Sequence, residues 1–168
     1  MTTRDGRGQA VTSLPDLGEA PAWHSSRWFN TSTPLDLAGL RGRVVLMHAF
    51  QMLCPGCVSH GVPQAERVHR RFAALGVAVV GFHTVFEHHE AMTPVALSAF
   101  LHEYRVTHPV AVDLPVAGQP LPATMAAYDM QGTPTTILLD RDGRIRLQSL
   151  GGVDDLELGT LIGRLLGG

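Results

Sequence analysis

The chain has 168 residues, 45% of them hydrophobic and 17% charged, which is enough for one domain with a full core. A net charge of −2 gives no electrostatic basis for binding nucleic acid or an anionic membrane. No apolar run reaches the roughly 18 residues of a membrane span, and Met1 to Gly8 lack the apolar core of a secretory signal, so the expectation is a cytoplasmic protein with no nucleic-acid or membrane partner.

Residues 1–26 are rich in Gly, Pro, Ser and Thr and show no periodicity. They read as an N-terminal arm, with the domain over 27–168. Trp23 and Trp28 are expected to dock onto that domain. Arg27 to Thr31 reads as a short strand, and Leu35 to Leu40 as a helical turn or an edge. Arg43 to Phe50 is apolar almost throughout, the pattern of a strand buried on both faces. Cys54-Pro55-Gly56-Cys57 follows and holds the only two cysteines. Pro55 suits a first helical position, where its missing N–H matters least. Ala65, Val68, Phe72 and Leu75 then recur at steps of three and four, a core-facing helical stripe. Gly61 and Pro63 predict a kink in its first turns, and Gly76 ends it. Val77 to Phe82 is a second buried strand, so strand, helix and strand form a parallel unit.

His83 to Met92 reads as a polar loop with three histidines and two glutamates. Thr93-Pro94 supplies a helix cap and first residue, and Leu97, Phe100, Leu101 and Tyr104 give that helix its apolar face. Val110 to Val112 is a short strand, Leu114 to Pro122 a loop, and Thr124 to Tyr128 one or two helical turns. Thr135 to Asp140 and Arg144 to Leu150 are strands joined at Arg141-Asp142-Gly143, an antiparallel hairpin with one wet face. Asp154 caps a last helix, with Glu157 three residues on; Leu158, Leu161, Ile162 and Leu165 are its buried stripe. The reading is an α/β domain with a central mixed sheet. The helices after Cys57 and Asp154 are expected on opposite faces of it.

Strand, Cys-x-x-Cys, then helix is the arrangement that thiol–disulfide exchange needs. Free N–H groups and the positive helix end stabilise a thiolate on the first cysteine, and the second lies one turn on, near enough to close a disulfide. Half of a structural zinc site is the other use of such a pair, but there is no second Cys-x-x-Cys and no His-x₃₋₅-His run at finger-like spacing from the cysteines. The context favours redox chemistry.

Gly132-Thr133-Pro134-Thr135-Thr136-Ile137 places a proline just before a β-branched strand, at a position where proline is tolerated. Together with the cysteine pair, this resembles the thioredoxin superfamily, in which a cis-proline loop faces the two cysteines. Pro134 follows Cys57 by 77 positions. The extra unit between His83 and Asp113 is similar to the redoxin branch: TlpA/ResA/DipZ-like thiol–disulfide oxidoreductases, related to the AhpC/TSA family. The resemblance spans roughly residues 27–166. It implies a thioredoxin-like fold with an N-terminal extension and an inserted β-α unit. It also implies Cys54 as the attacking thiolate, Cys57 as the resolving thiol, and Thr133 and Pro134 as the substrate-holding loop. His60 stands where many relatives carry an acidic residue, and is the first candidate to accept the Cys57 proton, ahead of His48 and of Glu87 acting through water. Leu53 replaces the tryptophan usual before the first cysteine. Disulfides of proteins or small molecules are the implied substrates, with an unidentified electron donor; no cofactor or metal is called for.

Two other classes share this scaffold. An AhpC/TSA-type peroxidase usually carries Thr or Ser three residues before its reactive cysteine, and here that place is Gln51. A Sco-like metal-binding module would draw on the cysteines with His83, His88, His89 or His102, but its cysteines are usually spaced one residue further apart. A solvated histidine loop is the commoner use of such a segment.

Overall fold

The computed structural model describes residues 14–168 in full, and of the preceding segment only the backbone pairing of β1 (Thr3–Arg4) with β2 (Ala10–Val11). Six further strands form one mixed sheet. They are β3 (Ser25–Phe29), β4 (Val44–Phe50), β5 (Val77–His83), β6 (Val110–Asp113), β7 (Thr135–Leu139) and β8 (Ile145–Leu150), in the spatial order β3-β6-β5-β4-β7-β8. β4, β5 and β6 run parallel; β3, β7 and β8 pair antiparallel to their neighbours. The helices are α1 (Val62–Phe72), α2 (Pro94–Glu103), α3 (Ala123–Ala127) and α4 (Asp155–Gly167). The fold is α/β and thioredoxin-like, and α2 with β6 is the inserted unit expected between His83 and Asp113.

Both faces of β4 are buried, and alternate residues feed two different cores. Val45, Met47 and Ala49 pack with Val80, Phe82, Ile137 and Leu139 under α3. Val44 and Leu46 pack with Val79 and Leu138 under α1 and α4. Phe50, Val110 and Val112 extend this second side under α2. α1 and α4 therefore lie on the same face, which corrects the expectation of opposite faces. Leu158, Ile162 and Leu165 join the α1 residues Ala65 and Val68 in one cluster. Because the sheet is apolar on both sides, the α4 stripe alone carries no information about which side it meets.

Both helix caps form, Thr93 Oγ1 accepting the Ala96 N–H and Asp154 those of Leu156 and Glu157, while the return bond expected of the Glu157 side chain is not made. β5 runs one residue further than expected. His83 pairs in register with Phe50 and is buried, so it belongs to the sheet and not to the polar loop. The arm is docked along residues 14–24. Leu17 N–H donates to the Ile145 carbonyl and Ile145 N–H to that of Gly18, along the outer edge of β8. Trp23 lies 5.3 Å from Phe82 and 6.5 Å from Trp28 between ring centroids, and its indole N–H donates to Tyr128. β3 begins two residues ahead of Arg27, so the boundary placed at residue 27 falls inside a strand.

Candidate active site

β4 ends at Phe50, the chain turns through Gln51 to Leu53, and it becomes helical at Pro55. Cys54 thus stands at the start of the helical segment, half-buried, while Cys57 is fully buried. Both are free thiols. Cys57 N–H donates to Cys54 Sγ at 3.3 Å, and Cys54 Sγ points its own proton at the Thr133 carbonyl, 3.4 Å away. Leu53 and Pro55 flank Cys54 on the outside, both exposed.

Cys57 to Gly61 form a wide π-helical turn before α1 begins at Val62. The kink expected from Gly61 and Pro63 takes this form. The turn brings two glycines against Pro134. A Cβ on Gly56 would lie 3.3 Å from Pro134 Cδ, and one on Gly61 would lie 3.1 Å from Pro134 Cβ. The Thr133–Pro134 bond is cis, and the loop is tied to the β8 end by the Gly151 N–H, which donates to the Pro134 carbonyl at 2.8 Å. Cys54, Thr133 and Pro134 therefore meet at one place, with Cys57 beneath. The seating of Pro134 on Gly56 and Gly61 is a contact that sequence reading missed; the glycines were visible, but their neighbour lies more than seventy positions away.

Burial, with the neighbouring Cys54 side chain, pushes the Cys57 thiol up to about 12, against opposing hydrogen bonds from the Gln51 main chain and the Thr133 side chain. The buried thiol holds its proton at neutral pH, so it reacts only once that proton is removed. His60 lies three residues on, half-buried. Its Nε2 is 3.1 Å from the Val153 carbonyl, which can only accept, so Nε2 carries the proton and Nδ1 is the basic nitrogen. A Cβ on Gly152 would lie 3.4 Å from the ring. The ring leans on the β8–α4 connection and makes no hydrogen bond to either cysteine.

His48 is not at the site. It is buried mid-strand, its Nε2 2.9 Å from His108 Nε2, and His108 Nδ1 is 2.8 Å from Glu66 of α1. Glu66 accepts five bonds: from His108 N and Nδ1, Thr107 N and Oγ1, and Arg70 Nε. Burial alone would raise this carboxyl, yet the bonds from His108, Thr107 and Arg70 outweigh it and hold it well below the usual carboxylate range. Burial, and repulsion by His108, keep His48 neutral well below its ordinary value. Gly81 makes room for this pair: a Cβ there would lie 2.9 Å from His48 Nε2 and 3.2 Å from Val110 Cγ2. The sequence held no sign of the chain, because its members are scattered over β4, α1 and the approach to β6.

His83 Nε2 accepts the Met52 N–H at 3.3 Å, and burial lowers this imidazole to about 4. His88, His89 and His102 are exposed. Among the described residues no three His, Cys, Asp or Glu side chains converge so as to hold a metal ion, and the metal-binding alternative finds no ligand set there.

The family model described as Redoxin matches residues 17–160. A crystal structure of a Thioredoxin-like superfamily protein is 54% identical to the chain, with a TM-score of 0.87 over 90% of this chain and 97% of that one. A thiol-disulfide isomerase from Corynebacterium glutamicum is 50% identical, with a TM-score of 0.84 over 89% of this chain and 97% of that one. Protein DipZ of Mycobacterium bovis is 28% identical over 96% of the chain, which spans only 22% of the length of DipZ.

Proposed function

We propose that this chain, which belongs to the Redoxin family and is a thiol–disulfide oxidoreductase, works by dithiol–disulfide exchange at Cys54-Pro55-Gly56-Cys57. One observation carries the reading. Half-buried Cys54 Sγ, at a helix start, accepts the main-chain N–H of fully buried Cys57 and lies 3.4 Å from the Thr133 carbonyl. Cys54 is the nucleophile. Its thiolate attacks a substrate disulfide, forms a mixed disulfide and expels one substrate sulfur as a thiolate, which takes up a proton. Cys57 then loses its proton and attacks Cys54 Sγ. The Cys54–Cys57 bond forms as the Cys54–substrate bond breaks, and the second substrate sulfur leaves with the electron pair. The substrate is reduced to dithiol and the enzyme oxidised to disulfide; an electron donor restores the dithiol. His60, through Nδ1, is the acceptor assigned to the Cys57 proton. The Thr133 backbone and Pro134 hold the substrate strand beside Cys54. Disulfides of proteins or small molecules are the substrates.

The test separates the thiols. Cys54→Ser abolishes exchange, because no accessible nucleophile remains. Cys57→Ser still attacks but cannot resolve, so it accumulates mixed disulfides with its substrates, recoverable on a non-reducing gel. His60→Ala leaves attack intact and slows resolution near pH 7. Repeated turnover by Cys57→Ser, or adducts formed by Cys54→Ser, would reject these roles.

A further inference from the structure

Gln51 stands three residues before Cys54, a place where the chemistry of the two thiols gives it no part. Its carbonyl accepts the Cys54 N–H at 3.2 Å, and Cys54 Sγ in turn accepts the Cys57 N–H at 3.3 Å. The Gln51 side chain is 1% exposed and points away, to the loop after β5. There Oε1 accepts the Phe86 N–H at 3.2 Å and Nε2 donates to Glu87 Oε1 at 3.4 Å. On either side, Phe50 accepts the Thr84 N–H at 3.1 Å and Met52 donates to His83 at 3.3 Å. These bonds staple the turn that leads into Cys54 onto residues 83–87. Only the link from Gln51 ends on an exposed charge, Glu87. Val85 and Met92 of the same loop pack in one apolar cluster with both cysteines.

A buried primary amide is the side chain that meets both demands, since it accepts with one end and donates with the other. Leucine would leave the Phe86 N–H unpaired. Glutamate would set a second carboxylate against Glu87.

We propose that Gln51 is a positioning residue for the attack of Cys57 on the mixed disulfide: its amide, held between Phe86 and Glu87, fixes the carbonyl that accepts the Cys54 N–H and so the place of Cys54 Sγ, the sulfur that Cys57 must reach. The inference rests on Cys57 being the resolving thiol. Glu87 is the surface end of the link.

A symmetrical nitroaryl disulfide reads the two steps apart, because attack by Cys54 releases one coloured thiolate and resolution by Cys57 releases the second. In stopped flow at pH 7, Gln51→Leu and Gln51→Glu keep the first release within about twofold of wild type. They slow the second about tenfold, the scale of one unmade buried hydrogen bond. Gln51→Glu with Glu87→Gln restores the donor–acceptor pair in reverse and recovers most of the second rate. Equal slowing of both releases, no slowing of the second, or a double variant no faster than Gln51→Glu alone overturns the proposal. Should Gln51→Leu fail to fold, the double variant against its single parent decides. A wild-type enzyme with no second release, or a Cys57→Ser variant that shows one, refutes the resolving role of Cys57 itself and takes this inference with it.

Discussion

His83 and Glu66 show how single side chains tie this fold to pH. The folded protein holds His83 at about 4 against an ordinary 6.5. A lowered histidine contributes stability that is complete above 6.5 and is lost as the pH falls from 6.5 through 4. Its share is on the order of 3 kcal/mol. His48 acts in the same direction from inside the sheet. Glu66 is also lowered, so its contribution is complete above about 4.5 and drains away at more acid pH, through its folded value. His83→Gln keeps a neutral acceptor for the Met52 N–H, so the urea midpoint should fall less steeply between pH 6.5 and 4 than in wild type. An unchanged slope would mean that His83 does not titrate in unfolding. Glu66→Gln should flatten only the limb below pH 4.5, while lowering stability at pH 7 through its lost charged bonds.

Among the elements, the turn from Cys57 to Gly61 does the most for the site. It seats Gly56 and Gly61 against Pro134, and both gaps are tighter than ordinary contact. Gly61→Ala should push the loop away from Cys54, because its new methyl meets a proline ring carbon at 3.1 Å. Activity should fall several-fold, with KM rising more than kcat changes, if the loop's place on Cys54 sets substrate binding. A Michaelis profile of insulin reduction decides it; an unchanged KM would show that the loop gives way without loss. The cap of α2 is a separable matter. Thr93→Ala should lower stability by about 1 kcal/mol and leave exchange kinetics alone, since it removes one bond to Ala96 N–H far along the chain from either thiol. Urea denaturation and the same assay check both halves.

At the scale of the molecule, the two open edges of the sheet are treated differently. β3 is the edge on one side, and β8 on the other is covered by residues 17–19, which bond to Ile145 and bridge Glu19 to Arg144. Deleting residues 1–19 should uncover β8 and raise self-association, as bare strand edges do, measurable as a concentration-dependent mass in light scattering. Much of this architecture was legible. The strands β4, β5 and β7, the cysteine pair and the proline loop each carry a local signal: apolar runs, Cys-x-x-Cys, and Pro before Thr135-Thr136-Ile137. What stayed hidden depends on distance. The choice of sheet face for α4 is not written in its stripe, because Leu158 would pack as well against either apolar side. His83 looked like loop because it is polar, and only its register with Phe50 makes it strand. The Gln51–Glu87 link and the Glu66–His108–His48 chain join residues with no shared motif.

The close approach of Gly81 to His48 bears on how this protein can change over generations. A methyl at position 81 collides with an imidazole that cannot retreat, since His108 and Glu66 hold the other end of its chain. Positions 48 and 81 therefore admit only an ordered route: the histidine must shrink before the glycine can grow. Gly81→Ala should be harmful in the wild-type background and less so after His48→Ala, which removes the tightest contact and leaves those to Val110 and Phe50 at 3.2 and 3.3 Å, a dependence of one change on another that a two-position library selected for folding would reveal.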